Sequence, residues 1–333
     1  MANLSHTIVL SRTDSIGDVV LTLPMAGVIK KMHPTARVIF MGRSYTKPVI
    51  DLCVHVDMFL NYDDIQQLSL EDQKTFFKPL HIDFFVHVFP VKAIAAMAKA
   101  IGIKNRIGTT NRLFHWFSCN KLVRLSRKKS PLHEAQLNLK LLSFLHADTA
   151  FGLHEIPKFY GFERVPKTNS PVMQLLDQSK IKVVLHPKSK GSAKEWGLDN
   201  FAKLIAALDA SKFQVFIGGT KEDGELMAEF LKVNTAAVNV CGQLNLTAYI
   251  DFISRCDALV AASTGPLHIA AALNKKSIGL FTSKRPMHPG RWGPVGDKAK
   301  YLVYDPACPL CLSGRDCDCI QKIHPQHVID LLA

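Results

Sequence analysis

Short β-branched runs recur along this chain, each followed by a polar turn and a stretch of apolar residues at helical spacing. This rhythm limits the fold more than any other feature. The first instance is complete near the start. TIVLS (Thr7 to Ser11) reads as a buried strand, RTDSIGD as a turn, VVLTLPMAGVIKKMHP as a helix stopping at Pro34, and ARVIFMG as the next strand. Strand, loop, helix and strand in that order form a βαβ unit, and such units build parallel sheets. IDFFVHVFP and KAIAAMAKAIG repeat the strand and the helix, and RIGTTNR follows as strand or loop.

The rhythm lapses over about 162–180, where FERVPKTNSPVMQLLDQSK carries two prolines, and then restarts. IKVVLHP, FQVFIGG, AAVNVCG, DALVAAS and SIGLFTS read as strands. DNFAKLIAALDA (Asp199 as N-cap), EDGELMAEFLK, LTAYIDFISRC and PLHIAAALN read as the helices between them, and HPQHVIDLLA as a last helix. At 333 residues the chain has room for two domains. The expected class is therefore α/β, with one domain over 1–165, a linker over 166–180, a second domain over 181–320 and a C-terminal helix over 321–333. The two similar halves are expected to face a cleft, since α/β sheets bind ligands at the carboxyl ends of their strands.

Four strand-to-helix turns could carry chemistry. In Arg12-Thr13-Asp14-Ser15-Ile16-Gly17-Asp18, Gly17 permits a tight turn, and Asp18 reads either as a helix cap or as a carboxylate that removes a proton from a sugar hydroxyl. Ser263-Thr264-Gly265-Pro266-Leu267-His268 opens a helix, so its backbone N–H groups suit a diphosphate, with His268 in the first turn; an ordinary cap is the plainer reading. HPKSKGSAKEW gathers Lys188, Ser189, Lys190 and Lys194 in one loop, suited to phosphate without a metal, or simply solvated. Gly218-Gly219-Thr220-Lys221-Glu222 places Glu222 where an acid can bind ribose hydroxyls. Neither GxxxxGK[ST] nor GxGxxG occurs.

These segments resemble glycosyltransferase family nine, the ADP-heptose:lipopolysaccharide heptosyltransferases. VLSRTDSIGDVVLTLP looks like the opening signature of that family, and HP…KEW, GGTKED and STGPLHIAAAL follow in its order and approximate spacing. The resemblance covers nearly the whole chain. It implies a GT-B fold of two Rossmann-like domains, acceptor on the first and nucleotide on the second, and an inverting reaction that needs no metal or other cofactor. It makes Asp18 the base, Lys194 the donor-phosphate lysine with Ser189 or Lys190 beside it, Glu222 the ribose acid, and Ser263, Thr264, Gly265 and His268 the phosphate-cradling turn. The chain departs from some members in having Ser263 where they have Asp, and in a His186–Lys194 loop one residue longer. The alternatives are a GT-B enzyme using a different nucleotide sugar and a non-catalytic nucleotide-sugar binder.

The charge balance, 41 Lys+Arg against 28 Asp+Glu, points to an anionic partner or to solubility alone. Eight of the basic residues fall in 104–129 (Lys104, Arg106, Arg112, Lys121, Arg124, Arg127, Lys128 and Lys129), interleaved with Phe114, Trp116 and Phe117. In the family context this stretch fits a phosphorylated Kdo–lipid A acceptor, with Arg106 and His133 as acceptor contacts and peripheral contact with the inner-membrane surface. No nucleic-acid module is visible, so nucleic acid is not expected as a partner. No apolar run reaches the ~18 residues of a membrane span. The opening residues lack a secretory pattern, so a cytoplasmic protein is expected, peripheral at the inner face of the inner membrane.

Cys53, Cys119, Cys241 and Cys256 are scattered and read as core residues. Cys308, Cys311, Cys317 and Cys319 follow C-x2-C-x5-C-x-C, which fits either a tetrahedral zinc site or a group of reduced thiols. The DCD run, Asp316 to Asp318, looks like a DxD metal motif but lies far in sequence from the nucleotide strands, so it is read as coincidental.

Overall fold

The computed structural model describes residues 6–127, 130–145 and 149–333. It divides into two compact units, Met1–Arg164 and Val165–Ala333. The first holds a six-stranded sheet of β1 (Thr7–Ser11), β2 (Arg37–Gly42), β3 (Met58–Asn61), β4 (Phe84–His87), β5 (Asn105–Thr109) and β6 (Lys121–Val123). Its strand order is β3-β2-β1-β4-β5-β6 and every pairing is parallel. The second unit holds β7 (Ile181–His186), β8 (Phe213–Ile217), β9 (Val238–Asn239), β10 (Ala258–Ala262), β11 (Lys276–Phe281) and β12 (Ala299–Val303). Its order is β12-β11-β10-β7-β8-β9, again all parallel. Counted within its own unit, each sheet runs 3-2-1-4-5-6, the Rossmann order.

The two sheets therefore have the same switch point. In the first unit the strand order reverses between β1 and β4, and in the second between β7 and β10. Outside the carboxyl ends of such a strand pair lies the crevice where open α/β sheets take ligands. The apolar residues of the central strands explain why these pairs are central. β1 and β10 are buried along their whole length, as strands covered on both faces must be. Val183, Leu185, Ile217, Val260 and Ile278 join Trp196, Phe201 and Val328 in the core of the second unit. Val9, Ile39 and Phe85 pack with Ile94 and Ala98 in the first.

Several local expectations change. The first helix is two: α1 (Ile16–Val20) and α2 (Pro24–Met32), because Pro24 opens α2 and has no N–H to continue the α1 ladder. Asp199 is not the cap of its helix. Gly197 holds that position, and Asp199 lies in the first turn, where its charge faces the helix dipole. The stretch read as one helix from Glu222 is Lys221–Leu226 and Ala228–Val233, with Met227 between them. Segment 166–180, read as a linker, folds onto the second unit. The backbone N–H and hydroxyl of Thr168 donate to Asp251 at 2.6 and 2.8 Å, and Asp177 N–H donates to Gln214 at 2.9 Å. The last helix, Pro325–Leu332, buries Val328 and Leu332 in the same core.

α2 also tests the packing. A Cβ at Gly27 would stand 2.2 Å from the carbonyl oxygen of Phe159, a backbone atom that cannot rotate away. Gly27→Ala is expected to destabilise the chain by about 1–3 kcal/mol, the usual range for overpacking. A lower denaturant midpoint at unchanged slope is the expected reading; an unchanged midpoint would mean that the contact is slack.

Candidate active site

In the first unit the switch point is organised by a buried arginine. Arg12 follows β1 and is 2% exposed. Its Nε meets Asp14 at 2.6 Å, one terminal nitrogen meets Glu134 at 3.0 Å, and the other pairs with Asp18. Glu134, itself buried, also pairs with Arg127. Asn138 accepts from Arg12 at 3.4 Å and from Arg127 at 3.1 Å, while its own amide donates to the Leu21 carbonyl at 3.1 Å. Two guanidinium groups thus meet three carboxylates. Buried charges need this kind of multiple pairing, since neither sign survives alone in low dielectric.

Asp18 sits in the first turn of α1 and also accepts from the Ser15 hydroxyl. Its side chain keeps 16% exposure, whereas Glu134 has 1%. Asp18 and Asp14, whose side chain keeps 21% exposure, are the carboxylates of the cluster open to a substrate. An ionised carboxylate has about four acceptor positions, so the Arg12 and Ser15 contacts leave room for a proton. Asp14 behaves differently. Burial raises its pKa from 3.8 to about 6, against the pull of Arg12 and aided by the nearby charge of Asp18.

In the second unit the loop after β7 and the turn after β10 adjoin. The Ser192 hydroxyl donates to the Ser263 carbonyl at 3.3 Å. Thr264 caps the helix Gly265–Ala272, yet its side chain makes no cap hydrogen bond. Its hydroxyl oxygen is buried and meets no hydrogen-bond partner among the described residues. Gly265 opens that helix, and Leu267 and His268 are buried in its first turns. An N-terminus with an unused donor beside it is built for an anion.

The lysine loop is less open than the sequence implies. Lys188 pairs with Glu195 at 2.6 Å, Lys194 with Asp316 at 2.6 Å, and Lys190 with Glu222 at 3.7 Å. Lys190 and Gly191 are both left-handed, with φ of 49° and 78°, which turns the loop sharply. Lys194 holds its proton more firmly than usual, first through the Asp316 hydrogen bond, and the Glu222 carboxyl is held below its ordinary value by a backbone hydrogen bond. Ser189 is held within the loop. It is 6% exposed and donates its hydroxyl to the Ala193 carbonyl at 2.7 Å, so it shapes the loop. Asp316 corrects the reading of DCD as remote, since the fold returns it to Lys194.

Arg106 and His133, expected as acceptor contacts, are engaged inside the first unit. Arg106 Nε donates to the Ser118 carbonyl at 2.6 Å, and its guanidinium also meets the Ile103 carbonyl. His133 is 2% exposed and caps the helix Glu134–Lys140, its Nδ1 accepting from Ala135 N–H at 3.2 Å. That places Glu134 against Arg12. Of the basic stretch, Lys104, Arg112, Lys121 and Arg124 are exposed, while Lys128 and Lys129 lie outside the described residues.

The fold and these turns define an α/β protein of two Rossmann-ordered units, each with polar turns at its switch point. The family model for glycosyltransferase family 9 (heptosyltransferase) matches residues 91–317. A Haemophilus influenzae protein assigned provisionally to the glycosyltransferases is 26% identical over 320 residues, 90% of this chain and 89% of its own length. Lipooligosaccharide heptosyltransferase 2 of the same organism is 34% identical over 117 residues, 34% of this chain and 33% of that protein. The structure of the Escherichia coli ADP-heptose LPS heptosyltransferase II superposes with a TM-score of 0.74 at 17% identity, over 98% of this chain and 97% of that one, a likeness of GT-B fold. The chain belongs to glycosyltransferase family 9 and is a glycosyltransferase.

Two outcomes are expected at the Arg12 cluster. Arg12→Met leaves buried Glu134 with Arg127 alone and takes the guanidinium from Asp14 and Asp18, and should destabilise the chain by about 3–5 kcal/mol, read from chemical denaturation; a loss within error would contradict the charge network. The raised pKa of Asp14 means that the folded chain binds its proton more tightly than the unfolded chain between 3.8 and about 6. The stabilisation from this group is full below that window and fades as pH rises through it. Asp14→Asn should therefore flatten the stability profile between pH 4 and about 6, and an unaltered profile would assign the slope to another group.

Proposed function

We propose that this enzyme moves heptose from ADP-heptose to the inner core of lipopolysaccharide, on a Kdo–lipid A type acceptor, with inversion at the anomeric carbon. The observation that carries the reading is the helix N-terminus at Thr264 and Gly265, lying at the switch point of the second sheet with a buried, unused hydroxyl. The E. coli protein of similar fold has ADP-heptose in its name, which supports that donor.

In this reading the helix N-terminus and Lys194 hold the diphosphate, and Glu222 holds the ribose. The charge that grows on the leaving ADP as the glycosidic bond breaks is met by the helix dipole and the lysine, so the reaction proceeds without a metal. Lys194 exchanges Asp316 for phosphate, and Lys190 and Glu222 part in the same way. Asp18 takes the proton of the acceptor hydroxyl as its oxygen attacks the anomeric carbon, with Arg12 and Ser15 orienting the carboxylate. The acceptor is an anionic glycolipid, and the first unit has features suited to one. Leu113, Trp116 and Phe117, on the helix Leu113–Ser118, are 76%, 58% and 72% exposed. Arg112, Lys121 and Arg124 are exposed beside them. Apolar rings flanked by basic groups suit a peripheral contact with the inner face of the inner membrane.

Asp18→Asn keeps the size of the side chain but exchanges one acceptor oxygen for an amide nitrogen and cannot take a proton. It is expected to lower kcat by about 10²–10⁴-fold, the usual contribution of a general base. ADP binding by calorimetry should be unaltered. Near-normal turnover in this variant would remove Asp18 from the chemistry. A panel of ADP-heptose, UDP-sugars and GDP-sugars on one acceptor should give transfer from ADP-heptose, and preference for a uridine or guanosine donor would overturn the sugar assignment.

A further inference from the structure

The four C-terminal cysteines lie outside the transfer chemistry, and the fold draws them to a single point. Cys308 precedes the short helix Pro309–Leu312, which contains Cys311; the chain reverses at Gly314, with φ of 78°, and returns Cys317 and Cys319 to the first pair. All four sulfur atoms lie within 4.8 Å of one another, and three of the four residues are buried. Sulfur separations are 3.5 Å for Cys308–Cys317, 2.9 Å for Cys317–Cys319 and 3.1 Å for Cys308–Cys319. All four are free thiols. Thiols are weak donors and weak acceptors, so four of them facing inward hold each other poorly. Four metal–sulfur bonds of about 2.3 Å set sulfurs about 3.8 Å apart at tetrahedral corners, within the span found here. A second group points the same way. The Thr282 hydroxyl stands 3.1 Å from Cys311 Sγ, placed to donate to a thiolate as groups around metal ligands do.

The hairpin also reaches the donor loop. Cys311, Cys317, Thr282 and Asp316 line one cavity of about 240 Å³ together with Lys194 and Lys284. Asp316, next to Cys317, is the partner of Lys194 at 2.6 Å.

We propose that Cys308, Cys311, Cys317 and Cys319 bind one divalent thiophilic cation, zinc or ferrous iron, as a tetrathiolate centre, and that this centre fixes the Asp316 hairpin against Lys194. Binding releases four protons to solvent and leaves a centre of net charge minus two, which Lys194 and Lys284 offset. The cation is structural, since four thiolates leave it no open position. Its effect on Lys194 rests on the donor site proposed above; the metal site itself does not.

The full chain is purified under reducing conditions without a metal-affinity tag, and its metals are measured by plasma mass spectrometry. About one zinc or iron per chain is expected, the element distinguishing the two cations. Cys311→Ser and Cys317→Ser should lose it, while Cys241→Ser, in the same unit, should retain it. Cobalt added to the metal-free chain should give thiolate charge-transfer and tetrahedral d–d bands that saturate at one equivalent. This arm needs no cysteine variant to fold. Metal-free protein as isolated, with no such cobalt bands, overturns the site, as does a disulfide among the four cysteines in the reduced protein. Removing the metal should raise the donor KM several-fold at similar kcat, and Asp316→Asn should not add to that rise. A KM unmoved when a metal bound at one equivalent is removed overturns the coupling to Lys194 and leaves the donor reading untouched.

Discussion

Arg12 lies at the end of the first strand with almost no exposure, and three carboxylates converge on it. A guanidinium presents its donors in a rigid fork, so it dictates where those carboxylates lie. Glu134 ties the fork to the helix Glu134–Lys140, and Asn138 on the same helix bonds back to the end of α1 at Leu21. Asp18, the third partner, is held at the rim of the cluster with its side chain partly open. An ion cluster of this kind is weak evidence of stability, because desolvation offsets most of the attraction. Its value here is position. It sets the direction of one carboxylate at the one edge of the sheet where a ligand can be met.

The second unit reaches an equivalent place by different chemistry. Its switch point is furnished with a helix N-terminus, a buried hydroxyl and a basic loop. Each lysine of that loop has an acidic partner: Glu195, Glu222 or Asp316. Lys188–Glu195 is half-buried, while the Lys190–Glu222 and Lys194–Asp316 pairs are more exposed, so the latter two are worth little and can open. The loop is thereby shaped in advance without being locked. The cysteine hairpin bears on the same loop through Asp316.

Much of this was legible in the sequence, for a reason of range. The strand-to-helix turns at Asp18 and at Ser263 to His268 are local patterns, and a parallel sheet carries such turns to its carboxyl edge whatever the rest of the chain does. The partners were not legible. Glu134 is 122 residues from Arg12, and Asp316 is 122 residues from Lys194. No spacing rule links such pairs; only the strand order does. Asp14 stood in plain view in the first turn, but its altered acidity comes first from burial, with Arg12 lowering it and Asp18 raising it, and only the fold supplies these. The backbone contacts of Ser189 and His133 were not legible, because a polar residue in a loop looks the same whether it faces a ligand or bonds the backbone. β3, β6 and β12 went unread, since short, partly exposed edge strands carry little apolar signal. The four cysteines were visible as a pattern, and folding supplied the convergence of their sulfurs.

The proposed reaction is a single displacement in which Asp18 deprotonates the acceptor and no covalent sugar–enzyme species forms. Such a step must invert the anomeric centre of the transferred sugar, whereas a double displacement restores it. The most direct measurement is the anomeric configuration of the newly formed linkage, read by proton and carbon NMR on product made from a donor of known configuration. Inversion is the result predicted; retention would contradict the role of Asp18 as a base and require a nucleophile in its place.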